Sequence, residues 1–125
     1  MNLVDSSGWL EYFANGPNAD FFAAAIEGIE NRLVSSINIY EVFKRILQQR
    51  GEADALQAIA SMMQGMVVDV NALIAMRAAK LSDALKIPLG DSIILATARE
   101  YGAVVWTQDG DFEGLEDVKY VAKKP

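Results

Sequence analysis

Residues 102–112 read GAVVWTQDGDF. Gly102 closes a preceding helix, and Ala103 to Thr107 is β-branched and aromatic, the composition of a short strand. Gln108-Asp109-Gly110-Asp111 then reads as a polar loop. Upstream, Pro88-Leu89-Gly90 ends one helical stretch, and Asp91 opens another that runs to about Tyr101. A helix that begins on an acid and feeds a strand that ends on acids is one unit of an alternating α/β chain.

The rest of the chain repeats that alternation. Residues 2–4 (NLV) are a short apolar strand ending at Asp5, and Ser6 to Phe13 a short helix. Asn15-Gly16-Pro17-Asn18 is a turn, followed by a helix from about Ala19 to Glu30. Leu33-Val34 is a second strand. Asn38, with Glu41 three residues on, reads as a capping box opening a helix from about Ile39 to Arg50. Its expected core stripe is Ile39, Val42, Phe43, Ile46 and Leu47. Gly51 breaks that helix, and another runs from Glu52 to Met63. Met66 to Val70 is a third strand, and Asn71 caps a helix to Leu85 with apolar residues at 74, 78, 81 and 85. Lys119 to Val121 is a last edge strand. Strands alternating with helices predict a mostly parallel sheet covered on both faces. No repeat, low-complexity tract or linker interrupts residues 1–125, which read as one domain.

Two absences narrow the chemistry. The 125 residues contain no cysteine and no histidine. That excludes thiol nucleophiles, thiolate or imidazole metal sites and any Ser-His-Asp arrangement. Hydrolytic chemistry here rests on carboxylates with a hard cation such as Mg²⁺ or Mn²⁺. The net charge of −6 argues at first against a nucleic-acid partner. Asp5, Glu41, Asp91, Asp109 and Asp111 carry most of it, however, and a bound metal would leave the remainder nearly neutral. No apolar run approaches the ~20 residues that cross a bilayer. MNLVDSSGW lacks a basic flank before an apolar stretch, so the cytoplasm is the expected location.

Each acid has an ordinary structural use. Asp5 can cap the helix beginning at Ser6 or Ser7, and Asp91 can be an N-cap after Pro88-Leu89-Gly90. Glu41 can complete the capping box or pair with Arg45 at i+4. Asp109-Gly110 can be a turn. The conjunction points further. Ligands of open parallel sheets bind beyond the C-terminal strand ends, where strand order reverses, and these acids follow strands or begin helices. Like charges gathered there are costly without a cation.

Four stretches, LVDSSGWLEYF at 3–13, SSINIYEVFKR at 35–45, IPLGDSIILATAREYGA at 87–103 and VVWTQDGDF at 104–112, resemble the PIN-domain family. Within it they are most similar to VapC-type toxins of type II toxin–antitoxin systems. The resemblance runs from end to end. It implies a three-layer α/β/α domain, a metal-dependent endoribonuclease, frequent homodimerisation and a partner antitoxin that blocks the site. It implies Asp5, Glu41, Asp91 and Asp109 as metal-binding acids and Asp111 as a less constant fifth. Ser6 and Thr107 match small hydroxyl positions beside the acids.

The implied reaction is in-line attack of water on an RNA phosphodiester, leaving 5′-phosphate and 3′-hydroxyl ends, with Asp109 or Glu41 as proton acceptor. Lys44, Arg45 and Arg50 are candidates for holding RNA, set against a solvated helix face. Lys123-Lys124 reads as tail charge. Trp9, Tyr12 and Tyr40 read as packing residues before base-stacking ones. Phe21, Phe22, Met62, Met63 and Met66 read as core or oligomer contacts. The alternatives are a PIN nuclease with a processing role and an inactive metal- or partner-binding module. A receiver-like phosphoacceptor is disfavoured, because no acidic pair follows the first strand. Neither GxGxxG nor GxxxxGK[ST] is present.

Overall fold

Side chains alternate across a strand, and that alternation divides the core in two. In the computed structural model, which describes all 125 residues, Leu3 pairs in register with Leu33 on one side and Val105 on the other. These three face one layer, while Val4 and Val34 face the opposite one. The strands are β1 (Asn2–Val4), β2 (Arg32–Ser35), β3 (Met66–Val68), β4 (Val104–Thr107) and β5 (Val118–Tyr120). They form one sheet in the order β3-β2-β1-β4-β5, and every pairing is parallel.

Six helices cover it: α1 (Ser6–Phe13), α2 (Ala19–Glu27), α3 (Ser36–Arg50), α4 (Glu52–Met62), α5 (Ala72–Leu85) and α6 (Leu89–Glu100). Trp9, Phe22, Val42, Ile46, Ala55 and Met62 carry α1 to α4 onto the Val4 face. Ile74, Ala78, Ile94 and Leu95 carry α5 and α6 onto the Leu3 face. The result is the expected three-layer α/β/α arrangement. From β1 the chain steps through β2 to β3, then crosses back to the far side of β1 as β4. Strand order therefore reverses between β1 and β4, and Asp5 and Asp109 follow those two strands.

Local boundaries differ from expectation for identifiable reasons. α3 starts at Ser36, not Ile39, because Ser35 is its N-cap: Ser35 Oγ accepts the Ile37 N–H at 3.2 Å. Asn38 Oδ1 accepts the Ser35 N–H at 3.0 Å, so Asn38 is the second half of the capping box and Glu41 lies one turn further in. α6 likewise starts at Leu89 after Pro88, which puts Asp91 inside the first turn and not at the cap. β3 stops at Val68 because the Val70 N–H donates to Ser36 Oγ and leaves the ladder. α2 ends at Glu27, and a 3-10 turn at Ile29–Asn31 leads into β2. Leu47 and Leu85 fall out of the predicted stripes, at 42% and 37% exposed. Both lie near the ends of helices that outrun the three- or four-residue strands. Phe22 and Met62 are core, whereas Met63 and Met66 are exposed.

Arg32 opens β2 and is buried. Its Nη1 donates to the Ile26 carbonyl at 2.6 Å, and its Nη2 to the Ser61 and Met62 carbonyls at 2.9 and 3.3 Å. These are C-terminal carbonyls of α2 and α4, which carry the negative end of each helix dipole. The guanidinium also stacks 5.0 Å from the Trp9 ring centroid. One buried cation thus closes two helices with no carboxylate partner.

Candidate active site

Asp5 occupies the N-cap position of α1, yet its side chain makes no capping bond. Its Oδ2 instead accepts from Ser7 Oγ and from Thr107 Oγ1, both at 2.7 Å. Both hydroxyls serve the same oxygen, so the protein donates no hydrogen bond to Oδ1. The Thr107 oxygen also accepts the Asp109 N–H at 2.9 Å. A single hydroxyl thereby ties the end of β1 to the loop after β4.

In that loop Asp109 does act as a turn residue, its Oδ1 accepting the Asp111 N–H at 3.0 Å. It also meets Asp91: one carboxylate oxygen each from Asp91, Asp109 and Asp111 lie within 4.8 Å of one another. Asp91 reaches this point from the first turn of α6, a helix that packs on β1 and β4.

Asp5 and Glu41 fall outside that group of three; Glu41 lies against Ser6 and Gly90. Its Oε1 accepts from Ser6 Oγ at 2.7 Å, and Ser6 Oγ accepts from Asn38 Nδ2 at 3.0 Å. The i+4 pair with Arg45 does not form. The only ion pairs of the chain are Arg77–Glu100 and Lys86–Asp83, so none of the five acids has a cation partner. Gly90 lets Glu41 approach α6: a methyl group there would sit 2.8 Å from Glu41 Oε2.

The electrostatics follow from burial and crowding. Burial pushes the Asp5 carboxyl up to about 6, against the hydrogen bonds of Thr107 and Ser7, and the charges of Asp109 and Glu41 add to the rise. Asp91 is raised further, by burial first and then by the charges of Asp109, Asp5 and Asp111. The arrangement holds protons tightly for want of another cation.

The other sequence candidates separate. Thr107 touches Asp5 and Ser6 touches Glu41. Ser7, Asn38 and Gly90 escaped the sequence reading. Ser7 had a signal, a hydroxyl two residues from the acid. Gly90 had none, because it was spoken for as a helix terminator. Arg45 and Arg50 line a groove of about 580 Å³ between α1, α3 and α4, and Lys44 instead lies 5.8 Å over the Tyr40 ring. Trp9 is fully buried and Tyr12 is bonded to Glu27, while Tyr40 is 59% exposed.

The PIN domain family model matches residues 3–118. The chain belongs to the PIN domain family. Solved structures share the fold of this PIN domain. A chain of a toxin–antitoxin complex from Klebsiella pneumoniae superposes with a TM-score of 0.79 at 24% identity, over 95% of this chain and 96% of that one. VapC20 of Mycobacterium tuberculosis, a sarcin–ricin loop cleaving toxin, gives 0.76 at 21% identity, over 95% and 99%. A chain of VapBC-1 from nontypeable Haemophilus influenzae gives 0.70 at 20% identity, over 97% and 96%. No curated protein matches this PIN domain in sequence. No helix is long and apolar enough to cross a membrane.

Proposed function

We propose that this PIN domain is a Mg²⁺- or Mn²⁺-dependent endoribonuclease, with residues 1–125 acting as one cytoplasmic domain. The observation that carries the reading is the meeting of Asp91, Asp109 and Asp111 with no cation partner, beside a buried Asp5 that also lacks one. A purely structural cluster of this kind would destabilise the chain. The donor set fits a hard divalent ion: every ligand atom is a carboxylate oxygen, and the chain holds no histidine or cysteine to favour a softer one. Asp91, Asp109 and Asp111 would hold the ion, with Asp5 and Glu41 proposed as further ligands beside them.

A divalent ion held by these carboxylates would supply Lewis acidity to an attacking water and to the phosphoryl oxygens. The chain's own residues do the positioning. Thr107 and Ser7 orient Asp5, and Ser6 with Asn38 orients Glu41. Arg45 and Arg50 offer positive charge to the RNA backbone along the adjoining groove, and Lys44 offers it on the neighbouring face of α3. The toxin–antitoxin complexes among the structural neighbours support a toxin role with a cognate antitoxin, and a homodimer is proposed on the family resemblance alone.

The test is cleavage of RNA with and without Mg²⁺ or Mn²⁺, by wild type and by Asp91→Asn. Metal-dependent cleavage lost in the variant is the expected result. Cleavage equal in both proteins, or indifferent to a chelator, overturns the proposal.

A further inference from the structure

The last residues of the chain do not hang free beside the acids. The Val121 N–H donates to the Thr107 carbonyl at 3.0 Å. The Ala122 carbonyl accepts from Asn18 Nδ2 at 3.0 Å, and the same amide donates to Gln108 Oε1 at 2.9 Å. Asn18 and Gln108 are both buried, at 3% and 6% exposed, so this is an interior clamp on a C-terminal segment. Gln108 in turn directs its backbone N–H toward Ser7 Oγ at 3.4 Å, and Ser7 donates to Asp5. The segment is therefore anchored to the residues that orient Asp5.

Lys123 follows the clamped Ala122. Two concave surfaces flank the site. One runs between α1, α3 and α4 and carries Arg45 and Arg50. The other carries Asp109 and Gly110. They share three residues, Ser7, Gln108 and Lys123. Lys123 lines both surfaces, the first of which carries Glu11 and Asp54 as well as Arg45 and Arg50 and the second of which carries Asp109; it forms no ion pair, and Lys124 lines neither surface. A strand running from the first surface to the second would pass the residues that the two share, Lys123 among them. Its backbone charge makes an unpaired ammonium there a phosphate contact.

Resting on the nuclease reading above, we propose that Lys123 is a substrate-binding residue, held by Asn18 at the mouth of the site to contact an RNA phosphate next to the scissile one. The tail lysine is then part of the substrate track and not a solubilising charge.

The test compares Lys123→Gln with Lys124→Gln. Binding of a single-stranded RNA oligonucleotide is followed by fluorescence anisotropy in an Asp91→Asn background, across a salt series. Losing one phosphate contact should lower the slope of log Kd against log salt by about 0.7. It should weaken binding about three- to tenfold at moderate salt. In the otherwise wild-type enzyme, Lys123→Gln should raise KM by a similar factor with kcat unchanged. Lys123→Arg should restore both, and Lys124→Gln should resemble wild type. Equal salt slopes and equal KM for the two Gln variants in a cleaving enzyme overturn the proposal. Wild type that neither binds nor cuts RNA overturns the nuclease reading itself, a separable result.

Discussion

Thr107 Oγ1 donates to Asp5 Oδ2 at 2.7 Å and accepts the backbone N–H of Asp109 at 2.9 Å, so one hydroxyl sets the spacing of two acids from different strands. Thr107→Val keeps the shape and removes both bonds. It leaves the Asp109 N–H without its partner, at a cost of about 1–3 kcal/mol. It also removes a bond that lowers the Asp5 pKa. A lower melting temperature and a smaller stabilisation by Mn²⁺ are expected, and Thr107→Ser should recover most of each.

Asp5 yields a pH prediction for the metal-free protein. Its folded carboxyl titrates near 6, above the ordinary 3.8, because burial disfavours the charge. The folded state therefore binds this proton more tightly than the unfolded chain does. Its contribution to stability is complete below about pH 3.8, declines as pH rises, and is lost above about 6. Relative to wild type, Asp5→Asn should gain stability across that window by up to about 3 kcal/mol. Chemical denaturation at pH 4 and pH 7.5 measures it, and a pH-independent difference would contradict the prediction.

Asp91→Asn removes a charge from the crowded group. Without metal at pH 8, this variant should melt above wild type. With millimolar Mn²⁺ the order should reverse, because a ligand that binds only the folded state stabilises in proportion to its affinity. RNA cleavage should fall about 100-fold or more. A variant that melts below wild type in chelator would show that Asp91 is held by something other than crowding.

Gly90→Ala separates stability from function. The residue lies in α6, where alanine is favoured over glycine by up to about 1 kcal/mol. The added methyl meets Glu41 Oε2 at 2.8 Å, and the end of that flexible side chain must move. The variant should fold as well as wild type or better, cleave about tenfold more slowly, and respond less to Mn²⁺. Full activity would remove Glu41 from the site.

Arg32→Met tests the opposite end of the molecule. It should cost about 2–4 kcal/mol, since three helix-end carbonyls lose a charged donor. Metal response and cleavage should persist at temperatures where the variant is folded.

Much of this was legible in the sequence, and what was not has physical causes. Alternating strands and helices were readable because short apolar runs are bounded by Gly, Pro and Asn. The acids at the ends of β1 and β4 were readable because those strand ends are where such sheets bind ligands. The start of α3 was misread because Ser35, Asn38 and Glu41 all carry capping chemistry, and only the backbone decides which is used. Leu47 and Leu85 were misread because helical periodicity does not say where the sheet beneath stops. Asn38 and Gly90 act on the site across long sequence separations, through contacts that no local spacing encodes, whereas Ser7 stands two residues from the acid it orients. Arg32 carries no sequence signal, since burial of a guanidinium depends on two helix ends meeting over it.

If RNA is the substrate, as proposed, that buried guanidinium also bears on how it would be met. The protein is acidic overall, and one of its arginines is sealed where no phosphate can touch it. Long-range attraction of a polyanion is correspondingly weak, so encounter is not electrostatically steered from afar. Under the proposed nuclease reading, discrimination among RNA strands would then fall to short-range fit beside the acids.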